Sequence, residues 1–210
     1  LDATRTMVDA IRRADVPPRL LINASATGFY GDRGDEVLTE GSNPGAGFLA
    51  DLSRDWETAA LEARSKSTRV VLLRLGMVLG HGAALEKMLP PFKLGFGGPM
   101  GSGRQWWPRS AMTDVLGAVD HTLDRETIRG PVNLVAPETA TSKDFARALG
   151  EHLGRPAIVP APAFAVKLAL GEMAEALLLS STKAKPQVLE DTGYRFEAPT
   201  LAEAFKQILG

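Results

Sequence analysis

Apolar positions along the chain recur with two different periods, and their alternation predicts an α/β protein. Met7, Val8, Ala10 and Ile11 stand together while Arg5, Arg12 and Arg13 lie opposite, which predicts a helix over residues 2–14 with one buried face. Asp15-Val16-Pro17-Pro18 ends it, because proline has no amide proton to donate and restricts the residue before it. Residues 20–24 form a short apolar run entered from prolines, the pattern of a buried strand. Helical spacing returns over residues 46–64, with Phe48, Leu49, Leu52, Trp56, Ala59 and Ala60 on one stripe, and Arg69–Leu75 is a second apolar strand. Strand, helix and strand within about 55 residues make a βαβ unit, so the two strands are expected to run parallel.

Between them, residues 26–45 are rich in Gly, Asp, Thr and Asn, and a loop of that length in a compact domain is commonly functional. Beyond the second strand, residues 83–89 predict a short helix halted by Pro90-Pro91. Residues 95–103 are too dense in glycine for a helix and predict turns in an exposed loop. A helix over 113–123 with Thr113 as its N-cap, a third strand over 132–136, and a helix opened by Thr141 or Ser142 and closed by Gly154 follow. Residues 157–159 suggest a short edge strand. From Pro160 the composition shifts: residues 163–179 are mostly good helix formers, 186–190 read as a short helix or turn, and Thr200-Leu201-Ala202-Glu203 is a capping box opening a last helix. The organisation expected is a doubly wound parallel sheet over residues 1–159 with a small helical domain over 160–210. The chain opens at Leu1 in a helix-like segment and reaches a core strand almost at once, so it reads as a piece of a longer polypeptide.

Composition narrows the function classes. Apolar residues at 44% and charged residues at 23% are ordinary for a globular protein. A net charge of −1 gives no global attraction for nucleic acid. The absence of cysteine removes disulfides, thiol catalysis and thiolate metal sites. His81, His121 and His152 are far apart and none sits in a ligand-type motif, so no metal is expected. With no apolar run of ~20 residues and no signal-type opening, the expectation is a cytoplasmic protein without a membrane partner.

The candidate chemistry lies at the strand ends. Ser25-Ala26-Thr27-Gly28-Phe29-Tyr30-Gly31 resembles the serine-containing strand end of extended short-chain dehydrogenases/reductases, the NAD-dependent epimerase/dehydratase superfamily. Arg74-Leu75-Gly76-Met77-Val78-Leu79-Gly80 resembles their next strand end, and Asn133 an asparagine in a later strand. Trp56-Glu57, Gly101-Ser102-Gly103-Arg104-Gln105-Trp106-Trp107 and the tail from Gly171 to Leu179 are similar to a subgroup called epimerase family proteins, which carries a C-terminal domain of unknown function.

The resemblance implies a Rossmann-like, NAD(P)-dependent fold, with NADP the expected form. It implies Ala24, Leu75, Gly76 and Val78 against the cofactor, Ser25 on the reacting hydroxyl or carbonyl, and a small-molecule substrate. A homodimer is a candidate assembly. The family's pyrophosphate-binding glycine turn belongs to its first ~80 residues, which have no counterpart here. Gly98 to Gly103 is glycine-rich but no buried strand precedes it, so it is not read as that turn. The family's catalytic tyrosine and the lysine four residues later are also absent. Only Tyr30 and Tyr194 exist, and the helix that should carry the pair offers Phe48 or Leu49, then Leu52 or Ser53. Tyr30, Asp51, Arg54 and Lys93 are the substitutes within reach, and Tyr30 is taken with Ser25 as the catalytic set. Phe29, Lys93, Arg104 and Trp106 are the candidate substrate contacts. Arg109 and Ser110 are poor residues for the strand the family has there, and Asp114 reads as a helix cap. Two readings stay open: an oxidoreductase or epimerase acting on a small polar, nucleotide-linked substrate, and a non-catalytic dinucleotide-sensing or protein-binding member.

Overall fold

The computed structural model describes residues 1–80, 82, 84–170 and 178–210. In chain order the elements are α1 (Asp2–Arg13), β1 (Leu20–Ala26), a 3₁₀ turn (Thr27–Tyr30), β2 (Val37–Leu38), α2 (Phe48–Leu61), β3 (Arg69–Leu75), β4 (Met77–Leu79) and α3 (Ala84–Lys93). They continue with β5 (Arg109–Ala111), α4 (Met112–Asp124), β6 (Gly130–Leu134), α5 (Ser142–Leu153), α6 (Ala163–Leu170), β7 (Lys183–Ala184), α7 (Gln187–Asp191) and α8 (Leu201–Leu209).

The principal sheet is parallel throughout, in the order β1-β3-β6, with Ser25 beside Arg74 and Arg74 beside Asn133. Two-stranded parallel pairs β4-β5 and β2-β7 flank it. Strand alternation sends the side chains of β3 to opposite faces. Val70 and Leu72 pack on Val8 and Ile11 of α1 and Ala60 of α2. Val71 and Leu73 pack on Ala118 of α4 and Leu189 of α7. Helices therefore cover both faces, the doubly wound α/β arrangement expected, and each buried Val or Leu contributes roughly 1.5–3 kcal/mol. A further core gathers Leu85, Leu89 and Phe92 of α3, Trp107, Phe145 and Leu149 of α5, and Leu201 and Phe205 of α8. This core draws on residues from both sides of position 160. Among the described residues no helix is long and apolar enough to cross a membrane.

Several local expectations are corrected. Pro90 and Pro91 do not halt α3 but lie inside it. The helix continues because Leu85, Leu89 and Phe92 keep helical spacing onto the core, and Pro91 and Pro90 still accept at its end, from Phe96 and Leu94. Residues 109–111 do form a strand, fully buried, because the Arg109 charge is met by Glu138. The N-cap of α4 is Ala111, not Thr113, whose hydroxyl instead donates to Gln207 Oε1 at 2.9 Å. Asp114 ties down the C-terminal segment, accepting from the Glu197 and Ala198 amides at 2.7 and 3.1 Å. The glycine segment 95–103 is not a free loop: Gly97 and Gly103 are buried, and a Cβ on Gly98 would stand 2.1 Å from the Val159 carbonyl. Residues 157–159 form no strand; instead Val159 donates to Gly97 and Ala161 to Pro99 across that contact. Of the long helix expected over 163–179, α6 accounts for residues 163–170, and residues 171–177 lie outside the described residues. The two remaining caps are as expected. Thr141 and Asp144 form a capping box on α5, Thr200 and Glu203 one on α8, and Gly154 closes α5 at φ 62°.

The largest difference lies in α2. Phe48 and Leu52, expected on its buried stripe, are 78% and 38% exposed. The buried residues are Ala50, Ser53, Glu57, Ala59 and Ala60, of which Ala59 and Ala60 belong to the expected stripe.

Candidate active site

Parallel β1 and β3 end side by side, and ligands of α/β proteins bind beyond such carboxyl ends. There Ala24, Ser25, Ala26, Thr27 and Gly28 meet Leu75, Gly76, Met77 and Val78 in the wall of one cleft of about 560 Å³. Leu49, Ser53 and Trp56 of α2, Trp106, Trp107 and Pro108 from the segment before β5, and Leu178, Ser180 and Thr182 complete it. No Asp, Glu, His, Lys, Arg or Tyr lines this cleft among the described residues. The wall is shallow beside β3 because Gly76 lies against Pro108, whose carbonyl oxygen would stand 2.5 Å from a Cβ there.

The titratable groups stand directly behind the wall. Arg74 leaves β3 toward α2, where its Nε and Nη2 donate to Glu57 Oε1 and Oε2, both at 2.8 Å. Ser25 Oγ donates to the same Glu57 Oε1 at 2.7 Å. Arg74 Nη1 donates to the Tyr30 hydroxyl at 2.9 Å, and its guanidinium lies 3.6 Å from the centre of the Phe29 ring. The Tyr30 hydroxyl donates to Asn133 Oδ1 at 2.7 Å, and Asn133 Nδ2 donates to the Lys185 carbonyl. Glu40 Oε1 accepts from the amides of Asn133 and Val188, while its buried Oε2 has no partner. Burial pushes the Glu40 carboxyl above the ordinary carboxylate value. It also raises the Tyr30 phenol, against the lowering influence of Arg74. A buried carboxylate and guanidinium hold their charges only when paired and hydrogen-bonded on most sides, which this network achieves.

Six of the sequence-predicted residues meet in the cleft: Ala24, Ser25, Leu75, Gly76, Val78 and Trp106. The other four do not line it. Tyr30 is fully buried with its hydroxyl held in the network, so it has no face on the cleft from which to exchange a proton. Phe29 is buried against Arg74. Lys93 ends α3 and lines a separate groove with Glu86, Leu89 and Ile208. Arg104 is exposed on a turn. Asp51 and Arg54 pair with each other on the exposed side of α2 at 2.9 Å. Of the α2 residues that reach the cleft, Leu49 and Ser53 stand four residues apart, and Trp56 is the third. Glu57 and Arg74 were not singled out from the sequence as site residues, although an arginine inside the run Val70-Val71-Leu72-Leu73-Arg74 signals a buried acidic partner.

The ring end of a nicotinamide cofactor fits what is present: small residues and three indoles around a neutral, largely apolar space. A pyrophosphate has no seat among the described residues. Gly28, Gly31 and Gly34 follow β1 at regular spacing, yet they open only a 3₁₀ turn, with the Gly31 amide donating to Gly28, and no helix begins there. β3 passes through Gly76 into β4, and residues 135–141 between β6 and α5 hold no glycine.

Comparison with known proteins agrees with this geometry. Residues 161–208 match the family model described as Domain of unknown function (DUF1731). An epimerase family protein of Mycobacterium bovis is 40% identical over 202 residues, covering 96% of this chain and 67% of that protein. The crystal structure of human epimerase family protein SDR39U1 (isoform2) with NADPH superposes with a TM-score of 0.93 at 36% identity, over 99% of this chain and 70% of that one. A nucleoside-diphosphate sugar epimerase from Corynebacterium glutamicum superposes with a TM-score of 0.79 at 32% identity, this chain spanning 41% of its length. With a relative this similar along two thirds of its own length, and a Rossmann-like α/β fold in common, the chain belongs to the epimerase family.

Proposed function

We propose that this chain forms the nicotinamide and substrate side of an NAD(P)-dependent protein of epimerase or oxidoreductase type, using NADP and acting on a small polar, nucleotide-linked substrate. The observation that carries the reading is the meeting of Ala24, Ser25, Leu75, Gly76 and Val78 at the ends of two adjacent parallel strands, in a cleft closed by Trp106. The NADPH of the human relative's crystal structure favours the same cofactor here. When bound, a nicotinamide supplies hydride transfer. Ala24, Leu75, Gly76 and Val78 would bear its ring, Ser25 would hold the reacting oxygen, and Trp106 would cover the substrate. Phe29 and Tyr30 act from behind, by holding Arg74 in place.

One observation favours the second reading, a dinucleotide-sensing protein without turnover. Leu49, Ser53 and Trp56 are the α2 residues that face the cleft, so no tyrosine or lysine of α2 stands there to move a proton. NADPH titrated into the protein should quench the emission of Trp56, Trp106 and Trp107, all cleft residues. No change at millimolar cofactor would rule out both readings. Quenching without hydride exchange between NADPH and any carbonyl compound in a panel of sugar nucleotides would select the second.

A further inference from the structure

The groove that holds Lys93 has a volume of about 420 Å³ and shares no lining residue with the cleft. Its floor is apolar, made by Leu85 and Leu89 of α3 with Ile208 and Leu209 at the end of α8. Along its outer side α3 presents Glu86, Pro90 and Lys93, all exposed. Their spacing of four and three residues puts them on one helical row, with opposite charges at its two ends. Neither charge has a hydrogen-bond or ion-pair partner among the described residues. Apolar side chains stand free at both ends of the row. Leu94, next to Lys93, is 72% exposed. At the Glu86 end, Met112 lies against the groove residue Gly80, four residues before α3 begins, and is 45% exposed. Leu116, one turn further along α4, is 61% exposed. Exposed apolar side chains gathered around a groove mark an interaction surface.

We propose that a second copy of this chain docks on this face, with α3 laid antiparallel on α3 about a two-fold axis. A two-fold contact presents one patch to itself, so that if residue i meets residue j, j meets i. The row on α3 obeys that rule because its ends are opposite in charge. With the axis passing close to Pro90, Glu86 of each copy meets the partner's Lys93, and one interface gains two ion pairs. The apolar ends match in the same arrangement, since Leu94 of each copy comes to the partner's Met112 and Leu116. The groove floor of each copy is then covered by the other. An occupant of a single charge fits less well. A polyanion would face Glu86 as its like, and a polycation would face Lys93, and like charges brought together oppose docking. The surface lies apart from the cleft, so the proposal stands independently of what the cleft binds.

Sedimentation equilibrium tests it. The unmodified chain should show a monomer–dimer equilibrium. Lys93→Glu gives the row a single sign and sets like charges against each other across the axis, so the dimer should weaken about tenfold or more. Glu86→Lys should do the same. The double variant Glu86→Lys/Lys93→Glu restores both pairs with their polarity reversed, and its dimer constant should return to within about threefold of the parent's. Leu116→Glu should dissociate the dimer by placing a charge in its apolar contact. Glu86, Lys93 and Leu116 are exposed in the single chain, so the melting temperature measured on dilute protein should hardly change, which separates loss of contact from loss of fold. A chain that stays monomeric up to about 1 mM overturns the proposal. So does a dimer indifferent to both charge reversals and to Leu116→Glu. A double variant no stronger than the single ones overturns the two-fold pairing of Glu86 with Lys93. If Phe48→Glu alone dissociates the dimer, the interface lies on the exposed side of α2 and this face is excluded.

Discussion

The cleft wall and the layer behind it are built from the same strands, yet they differ completely in chemistry. Along β1 and β3 the wall presents Ala24, Ala26, Leu75 and Gly76, with hydroxyls and indoles around them and no titratable side chain among the described residues. Directly behind stand buried Arg74, Glu57 and Tyr30 and half-buried Glu40, hydrogen-bonded to one another or to nearby backbone. The charges here support the wall instead of acting in it. Sequence motifs mark both layers at once, and only the geometry separates residues that can touch a ligand from residues that hold those that do.

If that division is right, substitutions behind the wall cost stability and substitutions in the wall cost binding. The largest effect is expected from Arg74→Ala, which leaves Glu57 buried without its partner and unties Tyr30. Breaking such a pair costs about 3–5 kcal/mol, measurable by urea unfolding. A loss below 1 kcal/mol would show that the network is not structural. Trp106→Ala works in the opposite sense. It removes a half-buried ring under Lys183 Nζ at 4.1 Å, so folding stability should fall by only about 1 kcal/mol. NADPH affinity, read by calorimetry, should fall roughly tenfold for the lost ring contact. Equal losses in both quantities would erase the distinction between the two layers. Thr200→Ala, at a residue that does not line the cleft, removes one half of the α8 capping box and should cost about 1 kcal/mol with no change in cofactor affinity.

The smallest effect concerns pH. Burial lifts the folded-state pKa of Glu40 above its ordinary 4.5, so the folded protein holds that proton more tightly than the unfolded chain. Its contribution is fully present below 4.5 and is lost as pH rises through the raised value. Glu40→Gln removes that loss. The variant should therefore melt at a higher temperature than the parent at pH 7, with the gap closing as the solution is made acidic. A gap that widens on acidification would contradict the buried, partnerless Oε2.

Much of the fold could be read from residue order. The apolar run Val70-Val71-Leu72-Leu73, the Val8 and Ile11 spacing of α1 and the boxes at Thr141 and Thr200 are local signals that are realised, while Met7 and Ala10, expected on the same α1 face, are exposed. What escaped is settled by partners far along the chain. Arg109 looks unfit for a strand until Glu138, 29 residues on, meets its charge. Pro90 and Pro91 look like a stop until the core holds Leu89 and Phe92 around them. In α2 the apolar stripe held in part: Ala59 and Ala60 are buried as expected, while Phe48 and Leu52 turn outward because the buried face also carries Glu57, which meets Ser25 and Arg74. Tyr30 drew notice as a possible proton donor through its place next to the serine motif, while Asn133, 103 residues away, claims its hydroxyl. Ser25 and the strand-end residues needed no distant partner to reach the cleft, since the strand register alone brings them there.

The division between wall and support is tested most directly by mapping NADPH onto the protein with ¹H–¹⁵N chemical-shift perturbation. The amides of Ala24, Ser25, Gly76 and Val78 and the indoles of Trp56, Trp106 and Trp107 should move together and saturate together. Perturbations confined to the groove around Lys93 or to the exposed face of α5, with those amides and indoles unmoved, would contradict it.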